Sequence, residues 1–507
     1  MNNNFRLLSI LSTVLIVSPL ALAQAPLAPA LPMLPTVEAS SLQASTDLLN
    51  DIQFVQKMVN SQEFTSDTAI TKLNEIYSSA FNLDPSKLNR EIMLKNGTKI
   101  IDALFRLRLS IHDKLKTFHR NNELNFKIVE AAQNVIRVTR YMQDMIGERL
   151  FADPTRKKLL HAFEGGIGHT SQNTNFTAST VQSGDVLLIR GASFNSAAIA
   201  RVGDIDSQFS HAALVYVDES PQNLHTPLED RTYVMEALVE TGVGIRTWRQ
   251  FVTHTGPRVS IIRNSDEGLA ARAGEIMYEY IKNQPVPLKY NFTMDLNFKD
   301  TMFCSQLIYE AFWMASNGAK NINRFPSPIS KSYKNLLGPI GVTAETTITP
   351  GSLEFNPDFD VVSEWVDYNF TESMRIKDMV LWKVFQWLEE SNFKFTSTTF
   401  EKKMGVISHY LRGVGLLKNK LSAEMPAAAV ATVFTIQRAG RVFAKQVDLL
   451  KKNNPEKVWT PKEILAAIEH FKNEEIVNKG GGVFRKWKPD YSRLNDTIKS
   501  CTQIFAP

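Results

Sequence analysis

Cys304 heads the stretch Cys304-Ser305-Gln306-Leu307-Ile308-Tyr309-Glu310-Ala311-Phe312, whose apolar positions recur at helical spacing. A thiol in the first turn of a helix is a candidate nucleophile, because unsatisfied N–H groups and the positive end of the dipole favour the thiolate. Such a nucleophile needs a base, and the base needs a third group to fix its tautomer. His211 opens the apolar β-type run Ala212-Ala213-Leu214-Val215-Tyr216-Val217 and is the candidate base. Glu236 sits inside Val234-Met235-Glu236-Ala237-Leu238, where an unpaired carboxylate is costly to bury, so an imidazole partner is expected.

Other residues compete for these roles. His225 and His254 lie in polar, loop-like sequence and are weaker bases, while Asp295, Glu240 and Asp185 are reserves for the third position. The segment from Asp218 to Thr232 is too long to fix strand register, so alternation leaves open whether His211 and Glu236 share a face. The chain has two cysteines, which in an oxidising compartment would pair as Cys304–Cys501. The helical setting of Cys304 and the tail-like setting of Cys501 favour two free thiols instead. No HExxH pattern or Cys/His cluster at zinc spacing is present, so no metal and no other cofactor is called for.

The elements that position these residues fall into blocks. Residues 1–23 read as a signal peptide, with Arg6, the charge-free apolar run Leu7 to Leu20, and cleavage expected after Ala21-Leu22-Ala23. Residues 24–40, with Pro26, Pro29, Pro32 and Pro35, read as a flexible leader. Residues 41–164 carry helical stripes: Leu48, Leu49, Ile52, Val55, Met58; then Ile100 to Leu115 after a start signal at Asn96-Gly97-Thr98; then Phe126 to Met145. Residues 165–182 read as a linker rich in Gly, Ser, Thr and Asn.

Residues 183–365 change character. Short apolar runs at Val186–Ile189, Ala212–Val217, Tyr233–Leu238 and Val259–Ile262 predict a small antiparallel sheet, and Glu267–Lys282 and Cys304–Ser316 predict two helices, together an α+β unit. Residues 366–507 turn helical again, with Thr460 as N-cap and Pro461 at the first helical position of one helix. Gly480-Gly481-Gly482 lacks the Lys-Ser/Thr of a phosphate loop and reads as a turn. With 57 basic and 52 acidic residues, nothing in the charge balance asks for a nucleic-acid partner.

The segments Ser183-Gly184-Asp185-Val186, Ser210-His211-Ala212-Ala213, Val234-Met235-Glu236-Ala237 and Phe303-Cys304-Ser305-Gln306, in this order, resemble the successive motifs of the permuted NlpC/P60 papain-like hydrolases of the YiiX/YebB-like group. Lys289-Tyr290-Asn291-Phe292 and Thr349-Pro350-Gly351-Ser352-Leu353 resemble two further elements, with Asn291 and Gln306 where acids are usual. The resemblance implies a circularly permuted papain-like domain flanked by all-α regions, with Cys304 as nucleophile, His211 as base and Glu236 as orienter. It implies acyl transfer to the thiol and thioester hydrolysis. First-turn N–H groups would hold the oxyanion, with Tyr290 as a further substrate-binding donor.

An exported enzyme of this kind, periplasmic or secreted, would meet peptides, peptidoglycan or N-acylated small molecules. Two other readings stay open: an acyltransferase or esterase of the same fold working on lipid or at a membrane surface, and a non-catalytic helical scaffold.

Overall fold

The computed structural model describes residues 48–478 except 85–87, 89, 153–166, 173–179, 203–207, 298–299, 321, 323, 330–337, 339–340, 391–401, 404, 409, 411–426 and 455–456. The expected signal peptide, the leader, Gly480–Gly482 and Cys501 lie outside the described residues. Four helices come first: α1 (Leu48–Asn60), α2 (Ser66–Phe81), α3 (Arg90–Arg120) and α4 (Phe126–Ala152). The sequence places a helix start at Asn96-Gly97-Thr98, but α3 runs straight through it. Gly97 is there for closeness rather than for capping, since a Cβ would sit 2.9 Å from Leu150 of α4.

The stretch read as a linker supplies a strand, β1 (Ile167–Ser171). Then follow β2 (Val186–Arg190), α5 (Phe194–Ile199), β3 (His211–Val217), β4 (Thr232–Leu238), β5 (Gly242–Thr247), α6 (Trp248–His254), β6 (Arg258–Asn264) and α7 (Glu267–Lys282). Two short strands, β7 (Lys289–Tyr290) and β8 (Thr301–Met302), lead into α8 (Cys304–Ala315). A two-residue ladder of β9 (Ser327–Pro328) and β10 (Thr346–Thr347), then α9 (Pro350–Glu354) and β11 (Phe359–Asp367), complete the central unit. Helices α10 (Tyr368–Glu390), α11 (Ala427–Asn453) and α12 (Pro461–Asn478) follow. The start of α12 is capped as its sequence requires, Thr460 Oγ1 accepting from Glu463 N at 3.3 Å and Glu463 Oε2 from Thr460 N at 3.0 Å.

The sheet is larger than expected. Seven strands pair antiparallel in the order β1-β11-β6-β2-β3-β4-β5. One face packs on α7 and α8 through Leu188, Leu214, Met235, Ile262, Leu269, Met277, Leu307 and Phe312; the other packs on α6 through Val215, Val234, Trp248 and Phe251. Gly184, just before β2, has φ +85°, and a Cβ there would run into the Ala270 carbonyl of α7. Gly184→Ala should therefore destabilise by roughly 1–3 kcal/mol through both strain and overpacking, read as a lower urea midpoint with unchanged slope.

The helical flanks close on this sheet with charges as well as apolar side chains. Arg258 of β6 donates from Nη1 to Glu364 Oε1 of β11 at 2.8 Å and from Nη2 to Asp144 of α4 at 2.5 Å. Arg140 of α4 bonds Glu364 Oε2 at 3.1 Å and forks onto Glu354 of α9. Arg108 of α3 bonds Gln143 at 2.5 Å and reaches Glu364 Oε1 at 3.4 Å. On α10, Arg375 pairs with both oxygens of Glu148 at 2.8 Å, and Asp378 accepts from Arg190 of β2 at 2.7 Å. Every one of these arginines is almost wholly buried.

Candidate active site

Helix α8 forms because Cys304, Leu307, Ile308, Ala311, Phe312 and Ala315 recur on one stripe, and all six are buried. Burial of Leu307, Ile308 and Phe312 stabilises the helix against the sheet by about 1.5–3 kcal/mol each, and the Phe312 ring meets Phe359 of β11 edge-on at 5.4 Å. The helix stops at Asn317 (φ 51°) and Gly318 (φ 79°), whose N–H bonds the Trp313 carbonyl at 2.9 Å. At the other end, the first-turn N–H groups have no partner within the helix, and Cys304 sits among them.

What fixes the start of α8 is a pair of buried amides. Gln306 Oε1 accepts from Asn291 Nδ2 at 3.0 Å and from Phe303 N at 3.4 Å. Gln306 Nε2 donates to the Leu296 carbonyl at 3.4 Å, and Asn291 Nδ2 also donates to the Asp295 carbonyl at 2.8 Å. The segment carrying Tyr290 is thereby locked to the turn carrying Cys304. The β7–β8 pairing adds to the lock, setting Tyr290 opposite Met302, two residues before the thiol.

Strand β3 delivers His211. Ser210 N bonds the Ile189 carbonyl at 2.9 Å and the Ser210 hydroxyl shares a 2.5 Å bond with Ser196, so the strand's first residues are pinned. Register settles what alternation in the sequence left open. Ala213 pairs with Glu236, and His211 is two residues from Ala213, so His211 and Glu236 share a face. His211 Nε2 lies 2.9 Å from Glu236 Oε2. That leaves Nδ1 as the ring nitrogen not committed to Glu236, and the imidazole and the Cys304 thiol each shift the other's ionisation. Cys304 is a free, buried cysteine.

Electrostatics follow from these contacts. Burial raises the Cys304 pKa, but the hydrogen bond and charge of His211, with the Ala212 N–H and the Ser305 hydroxyl 3.8 Å away, bring it below the ordinary thiol value. Burial pulls His211 down, yet its bonds to Cys304 and Glu236 push it up to about 10. Glu236, raised by burial, is brought below the usual carboxylate value by His211 and Arg246. The half-buried Tyr290 is pushed well above its ordinary value by desolvation and by the nearby Cys304 and Glu240 charges. The contacts thus shift the pair toward a thiolate facing an imidazolium.

The reserve residues are placed elsewhere. Asp185 is buried in a fork with Arg263, at 2.7 and 2.8 Å, and accepts from Gln182 N. Asp295 accepts from Asn297 N and Nδ2 in its own turn. His225 and His254 are exposed. Arg246 of β5, which the sequence reading did not single out, lies with Nε 2.8 Å from Glu236 Oε1. Its signal was the Val243/Ile245 alternation after Gly242, diluted by two glycines.

Residues 180–361 match the family model of the permuted papain-like amidase enzymes, YaeF/YiiX, C92 family. No match is found among curated proteins or among solved structures. The antiparallel sheet with a cysteine-headed helix packed on it, preceded in the chain by its histidine strand, is a permuted papain-like domain flanked by helical regions. Over residues 180–361 the chain is similar to the YaeF/YiiX, C92 family of amidases, and the protein is a cysteine hydrolase.

Proposed function

We propose that this protein is an exported amidase in which Cys304 is the nucleophile, His211 the general base and acid, and Glu236 the residue that orients the imidazole. The observation that carries the reading is the 2.9 Å bond of His211 Nε2 to Glu236 Oε2, on an imidazole whose charge acts on the Cys304 thiol at the head of α8. The Cys304 thiolate adds to the substrate carbonyl carbon, and the new oxyanion is received by first-turn N–H groups and the Tyr290 hydroxyl. As the C–N bond breaks, the imidazolium proton passes to the departing amine. Water then attacks the thioester, His211 takes its proton, and the thiolate leaves with the acid product released.

Export is supported by the apolar run and the Ala21-Leu22-Ala23 site at the start of the chain. In that compartment, cell-wall peptides and N-acylated small molecules are the amides within reach. Among the described residues no helix is long and apolar enough to cross a membrane.

The test is hydrolysis of a panel of N-acyl amides and cell-wall peptides by the parent, Cys304→Ala and Cys304→Ser. Both variants should lose activity by at least about 10³-fold while keeping the parent's thermal midpoint. Parent-like turnover in the alanine variant would remove the thiol from the reaction.

A further inference from the structure

Each oxygen of Glu236 has a cationic neighbour, held by a hydrogen bond at Oε2 and by charge without a hydrogen bond at Oε1. Oε2 faces His211 Nε2 at 2.9 Å, and Oε1 faces Arg246 Nε at 2.8 Å. The β4–β5 register allows this contact. Arg246 pairs with Val234, two residues from Glu236, so the guanidinium projects on the face that carries the carboxylate. Glu236 is 5 % exposed, whereas the Arg246 side chain is 32 % exposed. The buried carboxylate thus gains a counter-charge from a residue that pays little desolvation itself.

We infer that Arg246 is a positioning residue of the reaction, holding Glu236 ionised and aimed so that Glu236 in turn holds His211. The inference rests on the Cys304–His211–Glu236 reading. In the thiolate–imidazolium form the charges then alternate: thiolate, imidazolium, carboxylate, guanidinium. Without Arg246 the set carries one net negative charge in a buried site, and the carboxylate keeps one partner instead of two. The other titratable groups facing this set are Tyr290, beside the thiol, and Glu240, whose charge is felt at Tyr290. Neither replaces the cation at Oε1.

The test is a double-mutant cycle with pH profiles. Arg246→Gln should lower kcat/KM on the order of tenfold in the parent, with the acidic limb displaced to higher pH, because both the thiolate and the carboxylate lose a stabilising positive charge. In a Glu236→Gln background, where no carboxylate remains to be held, the same change should cost less than about twofold. Arg246→Lys, which keeps the charge, should restore most of the rate and the position of the limb. Thermal midpoints of all variants check folding, and the lysine variant carries the test if the glutamine variant does not fold.

A parent-like rate and pH profile in Arg246→Gln would overturn the inference. So would an equal loss in both backgrounds, which would put Arg246 on the substrate rather than on Glu236. Failure of the underlying reading shows separately, as activity retained in Cys304→Ala.

Discussion

His211→Ala is expected to lower kcat/KM by on the order of 10³-fold or more and to raise the pH at which iodoacetamide labels Cys304. The two effects have one cause. The thiol is buried, which disfavours its ionised form, and the imidazolium is the largest influence acting the other way. Removing the ring leaves a desolvated thiol with the Ala212 N–H, the Ser305 hydroxyl and the helix start to favour the anion, and without its strongest stabiliser labelling shifts toward alkaline pH. Departure of the amine also loses its proton donor.

In the parent, activity should rise with pH as the thiol ionises, at a value below that of an ordinary cysteine. It should fall again near pH 10 as the imidazolium is lost. Glu236→Gln should fall between the parent and His211→Ala, because the amide keeps the shape and one acceptor while losing the charge. Normal thiol reactivity in His211→Ala would dissolve the pair, and parent-like activity in both Glu236→Gln and Glu236→Ala would move the third role elsewhere.

Glu364→Gln is expected to destabilise the fold by about 3–5 kcal/mol, seen as a large drop in urea midpoint. Glu364 is 1 % exposed and faces Arg258, Arg140 and Arg108 at 2.8, 3.1 and 3.4 Å. Neutralising it leaves those arginines with only Glu354 and Asp144 as nearby anions, so buried positive charge goes uncompensated. Burial raises the Glu364 pKa, but the three guanidiniums bring it down to about 2. The folded value lies below the unfolded one of about 4.3. Its contribution is therefore complete above the unfolded value and is lost as pH falls toward 2. A parent whose stability does not drop on acidification through this window would contradict the assignment.

The candidate site residues were legible in the sequence where local pattern and chemistry coincide. The α8 stripe beginning at Cys304 and the apolar runs of β2, β3, β4 and β6 all announce themselves within a few residues. Three strands of the seven-stranded sheet did not. β5 is diluted by Gly242 and Gly244, β1 is a short polar run, and β11 carries Ser363 and Glu364 at inward positions that periodicity scores as solvent-facing. Glu364 is inward because arginines from two other helices and a strand meet it, and that pairing spans up to 256 residues. The same blindness hid Arg246, whose meaning depends on β5 existing. The apparent start at Asn96-Gly97-Thr98 failed in the opposite sense, since a glycine selected for helix–helix closeness looks locally like a breaker.

The seam of buried arginines and carboxylates also separates two kinds of boundary. Likeness to the amidases spans residues 180–361, yet β1 lies before that segment, β11 continues past it to Asp367, and Asp144, Arg140 and Arg108 arrive from helices outside it. Cut at the limits of likeness, the sheet would keep Arg258 and Glu354, lose Glu364, and surrender an edge strand, with unpaired charge and open ladder where neighbours had been. The unit of inheritance and the unit of folding are therefore different objects in this chain: the catalytic third carries the chemistry, and the helices around it supply the ground on which it can stand.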